Sequence, residues 1–198
     1  MGQKILTVAF LRPAPEDHWM NRLTARASMH PFCHVELFFE SLNLCFSIEW
    51  NERAGFRFKN LSNPNYHLVS LCVSAREYDA CLDFCKSAAT QHLLFDNLAM
   101  WRAWFPTALT CTPCDPSSQH KGRTFCTKII TESLQFAGLG EVERLLPAST
   151  TPSSLYHAVV GSPRKICSGV PFKRQALMQL GGGGGLTLFP APTILRMG

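Results

Sequence analysis

Two residues in this chain have the type and setting for nucleophilic chemistry: Cys126, at the head of a helical pattern, and His34, on an apolar run far upstream. A thiol becomes a nucleophile when its thiolate is stabilised and a base can reach it, and the base in turn needs a polar group to orient it. Phe125, Ile129, Ile130, Leu134 and Ala137 mark one face of a helix, and Gly138 stands where a C-terminal glycine cap belongs. That pattern predicts Cys126 in the first turn. Unpaired N–H groups and the positive end of the helix dipole would lower its pKa from the ordinary value of about 8.5, and Lys121, Arg123 and Lys128 act in the same direction.

His34 lies in Pro31-Phe32-Cys33-His34-Val35-Glu36-Leu37-Phe38-Phe39, which reads as a strand. Period two puts His34, Glu36 and Phe38 on one face and Val35, Leu37 and Phe39 on the other. The next predicted strand, Leu44 to Trp50, offers Ser47 and Glu49 on a shared face after a turn at Ser41-Leu42-Asn43. Glu36, Glu49 and Ser47 are therefore the candidates for the group that orients His34, and the residues alone leave the choice open.

A strand bearing His-Val-Glu-Leu, a second strand, and about ninety residues on Phe-Cys-Thr-x-x-x-x-Glu-x-Leu-x-x-Ala-Gly form an ordered set. In that order they resemble the circularly permuted branch of the NlpC/P60 superfamily, papain-like thiol enzymes in which histidine precedes cysteine and which occur in bacteria, eukaryotes and large viruses. The resemblance covers roughly residues 1 to 160. It implies an α+β papain-like fold, with an antiparallel sheet packed against helices, and a cysteine peptidase, amidase or acyltransferase needing no cofactor. Cys126 would be the nucleophile, His34 the base and Glu36 or Glu49 the third member, since some permuted members use glutamate there. The backbone N–H of Cys126 would supply the oxyanion donor, and the substrate would be a protein, peptide or lipid acyl group.

The remaining elements follow from local signals. Lys4 to Leu11, Gly55 to Lys59 and Tyr66 to Val73 read as strands, and Trp19 to Arg26 as a short helix. Ser74 and Glu77 have the capping-box spacing at the head of a helix of about fourteen residues, with Tyr78, Cys81, Leu82 and Cys85 on its core face. His92 to Pro106, rich in tryptophan and phenylalanine, reads as a helix packed on the sheet, with a substrate-groove wall as the rival reading. Residues 107 to 120 read as a loop, and Leu155 to Val159 as a closing helix capped by Ser153. The composition expectation is one domain over residues 1–165 and a flexible tail over 166–198, where five consecutive glycines stand at 181 to 185.

A net charge of +5 is too mild to indicate nucleic-acid binding, and no stretch has the roughly 18 to 20 apolar residues of a transmembrane helix. Nine cysteines at irregular spacings read as mostly buried free thiols in a reducing, cytoplasmic setting. One rival of another class uses the same thiol: Cys111, Cys114, His120 and Cys126 approach a zinc-knuckle spacing, one residue too long in each later gap. A zinc-stabilised binding module, a Cys111/Cys114 redox pair, or a papain-like domain that binds without catalysis are the alternatives.

Overall fold

The computed structural model describes residues 2–17, 19–27, 31–104 and 122–169. The chain is α+β. Strands β1 (Gln3–Leu11), β2 (His34–Phe39), β3 (Leu44–Ser47), β4 (Gly55–Arg57), β5 (Tyr66–Ser74) and β8 (Lys165–Gly169) form an antiparallel sheet in the order β4-β3-β2-β1-β5-β8. β6 (Leu94–Phe95) and β7 (Arg123–Thr124) make a short parallel pair. The helices are α1 (Trp19–Ala27), α2 (Ala75–Thr90), α3 (Asn97–Trp104), α4 (Cys126–Phe136) and α5 (Pro152–Val160).

Alternation along the strands separates two sheet faces. The register pairs Val8 with Leu37 and Phe10 with Val35, and on the other side of β1 Val8 with Val69 and Leu6 with Leu71. All these side chains are fully buried, together with Phe39 and Phe46. Against that face pack Tyr78, Cys81 and Cys85 of α2 and Ile129, Ile130 and Leu134 of α4. Each such large side chain contributes about 1.5 to 3 kcal/mol by leaving water. The opposite face carries Thr7, Glu36, Cys45, Ser47 and Tyr66, every one of them buried; there Thr7 and Ser70 are joined by a hydrogen bond of 2.9 Å between their hydroxyl oxygens.

Local signals account for the two central helices. Ser74 caps α2: its hydroxyl accepts from the Glu77 N–H, and the Ser74 N–H donates to the Glu77 carboxylate at 2.8 Å. α4 ends at Gly138, whose φ of 80° belongs to the left-handed region that glycine enters without strain. The Gly138 N–H bonds to Gln135 O and the Leu139 N–H to Leu134 O, a Schellman closure with Leu134 and Leu139 both buried.

Several boundaries differ from the sequence expectation. The second hairpin strand stops at Ser47 instead of Trp50, so Glu49 lies beyond the ladder. α5 begins at Pro152 and is capped by Thr151, not Ser153, because Thr151 and Ser154 close a reciprocal capping box with proline at the first helical position. α3 is shorter than the predicted helix and rests against the Pro147–Ser149 turn, not on the sheet; Phe95 belongs to β6 and Met100 reaches the core. Finally, the domain does not end at residue 165: β8 runs to Gly169 and pairs with the otherwise free edge of β5. The remainder of the expected tail, and the predicted loop up to Lys121, lie outside the described residues.

Candidate active site

Cys126 is the first residue of α4, following Phe125, whose extended backbone (φ −136°, ψ 166°) turns the chain into the helix. Phe125 is fully buried and anchors that turn in the core. No side chain caps the helix start. Its first-turn N–H groups are therefore available to a negative charge on the Cys126 sulfur or on an oxygen beside it. The thiol itself is buried, 1% exposed.

His34 opens β2 at the margin of the sheet that faces the start of α4, and its ring is within hydrogen-bonding reach of the Cys126 thiol. The ring's Nε2 lies 3.3 Å from Glu36 Oε1, an ion-pair contact in which the N–H makes no directed hydrogen bond. The structure therefore brings Cys126, His34 and Glu36 together. Glu36 is fully buried. Tyr66 Oη donates to its Oε1 at 3.4 Å, and Lys59 Nζ lies 3.7 Å from the same oxygen.

The two other candidates for the orienting role are elsewhere. Glu49 is ion-paired with Lys59. Ser47 is buried on β3, and its backbone carbonyl accepts a hydrogen bond from Arg57 Nη1 at 3.3 Å. Glu36 stands on the same strand as His34, two residues on, so period two alone delivers it to the ring. Lys59 and Tyr66 were not singled out by sequence reasoning, for they are separated from Glu36 by 23 and 30 residues and meet it only once the sheet is assembled.

The electrostatics of the group are mutually reinforcing. Burial would drive the His34 pKa down, yet the charge and hydrogen bond of Cys126 and the close contact and charge of Glu36 outweigh it and raise it to about 10. Burial likewise opposes ionisation of Glu36, but the close contact and charge of His34, with the charge of Lys59, hold its carboxyl below the usual value. The site thus favours an imidazolium beside the Glu36 carboxylate. Neighbouring thiols are pushed the other way: burial, aided by the Cys126 charge, raises Cys33 to about 12, and burial together with Glu36 raises Cys45 further. Cys33 is anchored through a contact of 3.5 Å to Leu11 O.

Cys33, Cys45, Cys81, Cys85 and Cys126 are buried and Cys72 is half-buried, and these six are free thiols. Cys81 and Cys85 flank the Ser133 hydroxyl at 3.1 and 3.7 Å, deep in the α2/α4 layer. The zinc-knuckle reading falls partly outside the described residues, which do not include Cys111, Cys114 or His120; among the described residues no cluster has the makings of a metal site. Of the aromatic band, Phe95 is buried and packs against Trp50 with the rings tilted and their centroids 5.5 Å apart, while Trp101 is half-buried against the core. No helix among the described residues is long and apolar enough to cross a membrane.

No family model, curated protein or solved structure matches this chain. Its chemistry must be argued from the geometry of Cys126, His34 and Glu36.

Proposed function

We propose that the protein is a cysteine-dependent hydrolase or acyltransferase, papain-like in the permuted NlpC/P60 sense, acting on an amide, isopeptide or ester bond of a protein, peptide or lipid acyl substrate. The observation that carries this reading is the convergence of three residues from two elements: a thiol at an uncapped helix start, an imidazole in its reach, and a buried carboxylate 3.3 Å from that imidazole. An antiparallel sheet whose histidine strand precedes the cysteine helix in the chain agrees with the permuted order. The six unpaired thiols suit a reducing, cytoplasmic setting.

In this mechanism the Cys126 thiolate attacks the carbonyl carbon, and the resulting oxyanion is met by the Cys126 backbone N–H at the start of α4. His34, held as imidazolium, gives its proton to the leaving nitrogen or oxygen; the scissile bond breaks and a thioester remains on Sγ. Water, or an acceptor hydroxyl or amine, then attacks the thioester while His34 takes the proton, and the thiolate leaves. Glu36 keeps the ring oriented and stabilises its charge throughout. These steps need no cofactor.

The test is alkylation by an iodoacetamide-type probe across about pH 5 to 9, with zinc content measured on the same samples. Reaction at Cys126 well below pH 8, slowed in His34→Ala and abolished in Cys126→Ala, is the expected result. A Cys126 that stays unreactive until a chelator removes bound zinc overturns the reading in favour of a metal-stabilised binding module.

A further inference from the structure

The carboxylate of Glu36 presents an electrostatic difficulty that the three-residue mechanism leaves unsolved. His34 is its nearest cation, and His34 must lose its proton to the leaving group in the first half of every cycle. At that moment a fully buried carboxylate would face a neutral ring. An uncompensated buried charge is costly enough that Glu36 would take up a proton instead, and a protonated Glu36 no longer favours the imidazolium on which the next cycle depends.

We propose that Lys59 is a positioning residue, a fixed counter-charge that keeps Glu36 ionised while His34 gives up and regains its proton, with Glu49 holding the ammonium in place. The inference rests on the thiol-enzyme reading above. Lys59 Nζ is 3.7 Å from Glu36 Oε1 and is ion-paired at the same time with Glu49, so one ammonium is clamped between a buried and a half-buried carboxylate. Its side chain is only 24% exposed, which limits screening by solvent.

The groups facing Glu36 come from every side. His34 is on β2, Cys45 on β3, Tyr66 on β5, and Lys59 follows β4. Of these, Cys45 and Tyr66 are neutral: burial and the Glu36 charge push both well above their ordinary pKa values. Arg57, the remaining nearby cation, is engaged with Glu52 at 2.7 Å and with backbone carbonyls. Lys59 is thus the permanent positive charge on this carboxylate among the described residues, and Tyr66 supplies a neutral donor. Its own pKa is raised, because the hydrogen bond to Glu49 and the charges of Glu36 and Glu49 outweigh burial, so it stays charged across the range in which His34 acts.

The experiment is the rate of Cys126 alkylation against pH in wild type, Lys59→Met and Lys59→Arg. Loss of the counter-charge should move the acid limb of the profile upward by about one pH unit or more, a roughly tenfold rate loss on that limb, while Lys59→Arg keeps the wild-type limb. A Lys59→Met limb that superimposes on a reactive wild type, or a rate lowered evenly at all pH values, overturns the assignment of Lys59 alone. A wild type whose Cys126 shows no His34-dependent reaction overturns the enzyme reading, and this one with it. Should Lys59→Met not fold, the double variant Glu36→Gln/Lys59→Met should regain the wild-type circular dichroism spectrum, because the charge that Lys59 compensates is then gone. A double variant that also fails to fold overturns the proposal.

Discussion

On β2, Val35, Leu37 and Phe39 turn toward α2 and α4, while His34 and Glu36, one residue out of step, turn to the other side of the sheet. Leu37 and Glu36 are neighbours in the chain and equally inaccessible, each fully buried. What separates them is their surroundings. Leu37 lies in the apolar core cluster and is held by the exclusion of water; Glu36 meets an imidazole, a phenol hydroxyl and an ammonium, and is held by charge and a hydrogen bond. The apolar face asks of an apolar side chain chiefly volume and shape, whereas the polar face keeps its carboxylate ionised only with charged partners beside it.

This contrast breaks most sharply when the reactive group and the apolar core are changed one at a time. Cys126→Ala should abolish acyl transfer and probe labelling, a loss on the order of 10³-fold or more, with circular dichroism unchanged, since alanine fits the site of a buried thiol. His34→Ala should slow the same reaction by about 10² to 10⁴, again without loss of fold. Leu134→Ala, deeper in the apolar layer, should do the reverse: about 2 to 5 kcal/mol of stability lost in urea titration, with labelling of the remaining folded fraction intact. If Leu134→Ala left stability unchanged, or Cys126→Ala unfolded the chain, the division of labour between reactive group and core would be wrong.

A subtler division appears in pH dependence. The folded His34 pKa, about 10, stands above its unfolded value near 6.5. Its contribution to stability is therefore complete below about pH 6.5 and declines as pH rises toward about 10. Glu36 is shifted the other way, so its contribution is present above the unfolded carboxyl value of about 4.3 and fades as pH falls below it. Urea midpoints should fall between about pH 6.5 and 10, and His34→Ala should flatten that decline. A wild-type curve with no such slope would contradict the imidazolium at the centre of the site. The smallest effect belongs to Ser74→Ala, where loss of the capping hydroxyl should cost about 1 kcal/mol in the same titration and leave the pH profile of labelling untouched.

How much of this could be read from the chain depended on whether a feature is local. The Cys126 helix start, the Ser74 capping box and the alternation that aims His34 and Glu36 together are set by residues within one or two turns of one another, and the structure bears them out. The choice among Glu36, Glu49 and Ser47 was not local. It turns on Lys59, which engages Glu49, and on a strand that stops at Ser47 before Glu49 can join the ladder. β8 was missed for a similar reason: Lys-Ile-Cys-Ser-Gly has no strong alternation, and it becomes a strand because the edge of β5 offers unpaired N–H and C=O groups. The cap of α5 was misread by two residues because Thr151, Ser153 and Ser154 all offer hydroxyls, and only the reciprocal Thr151–Ser154 bonds single one out.

The most direct test of the central claim is covalent. Wild type, Cys126→Ala and His34→Ala would be mixed with a small activated ester and quenched, and the position of the acyl group located by peptide mass spectrometry. A single acyl group on the peptide carrying Cys126, absent in Cys126→Ala and formed far more slowly in His34→Ala, is the predicted result. Acylation spread over several thiols, or a rate at Cys126 indifferent to His34, would contradict the account.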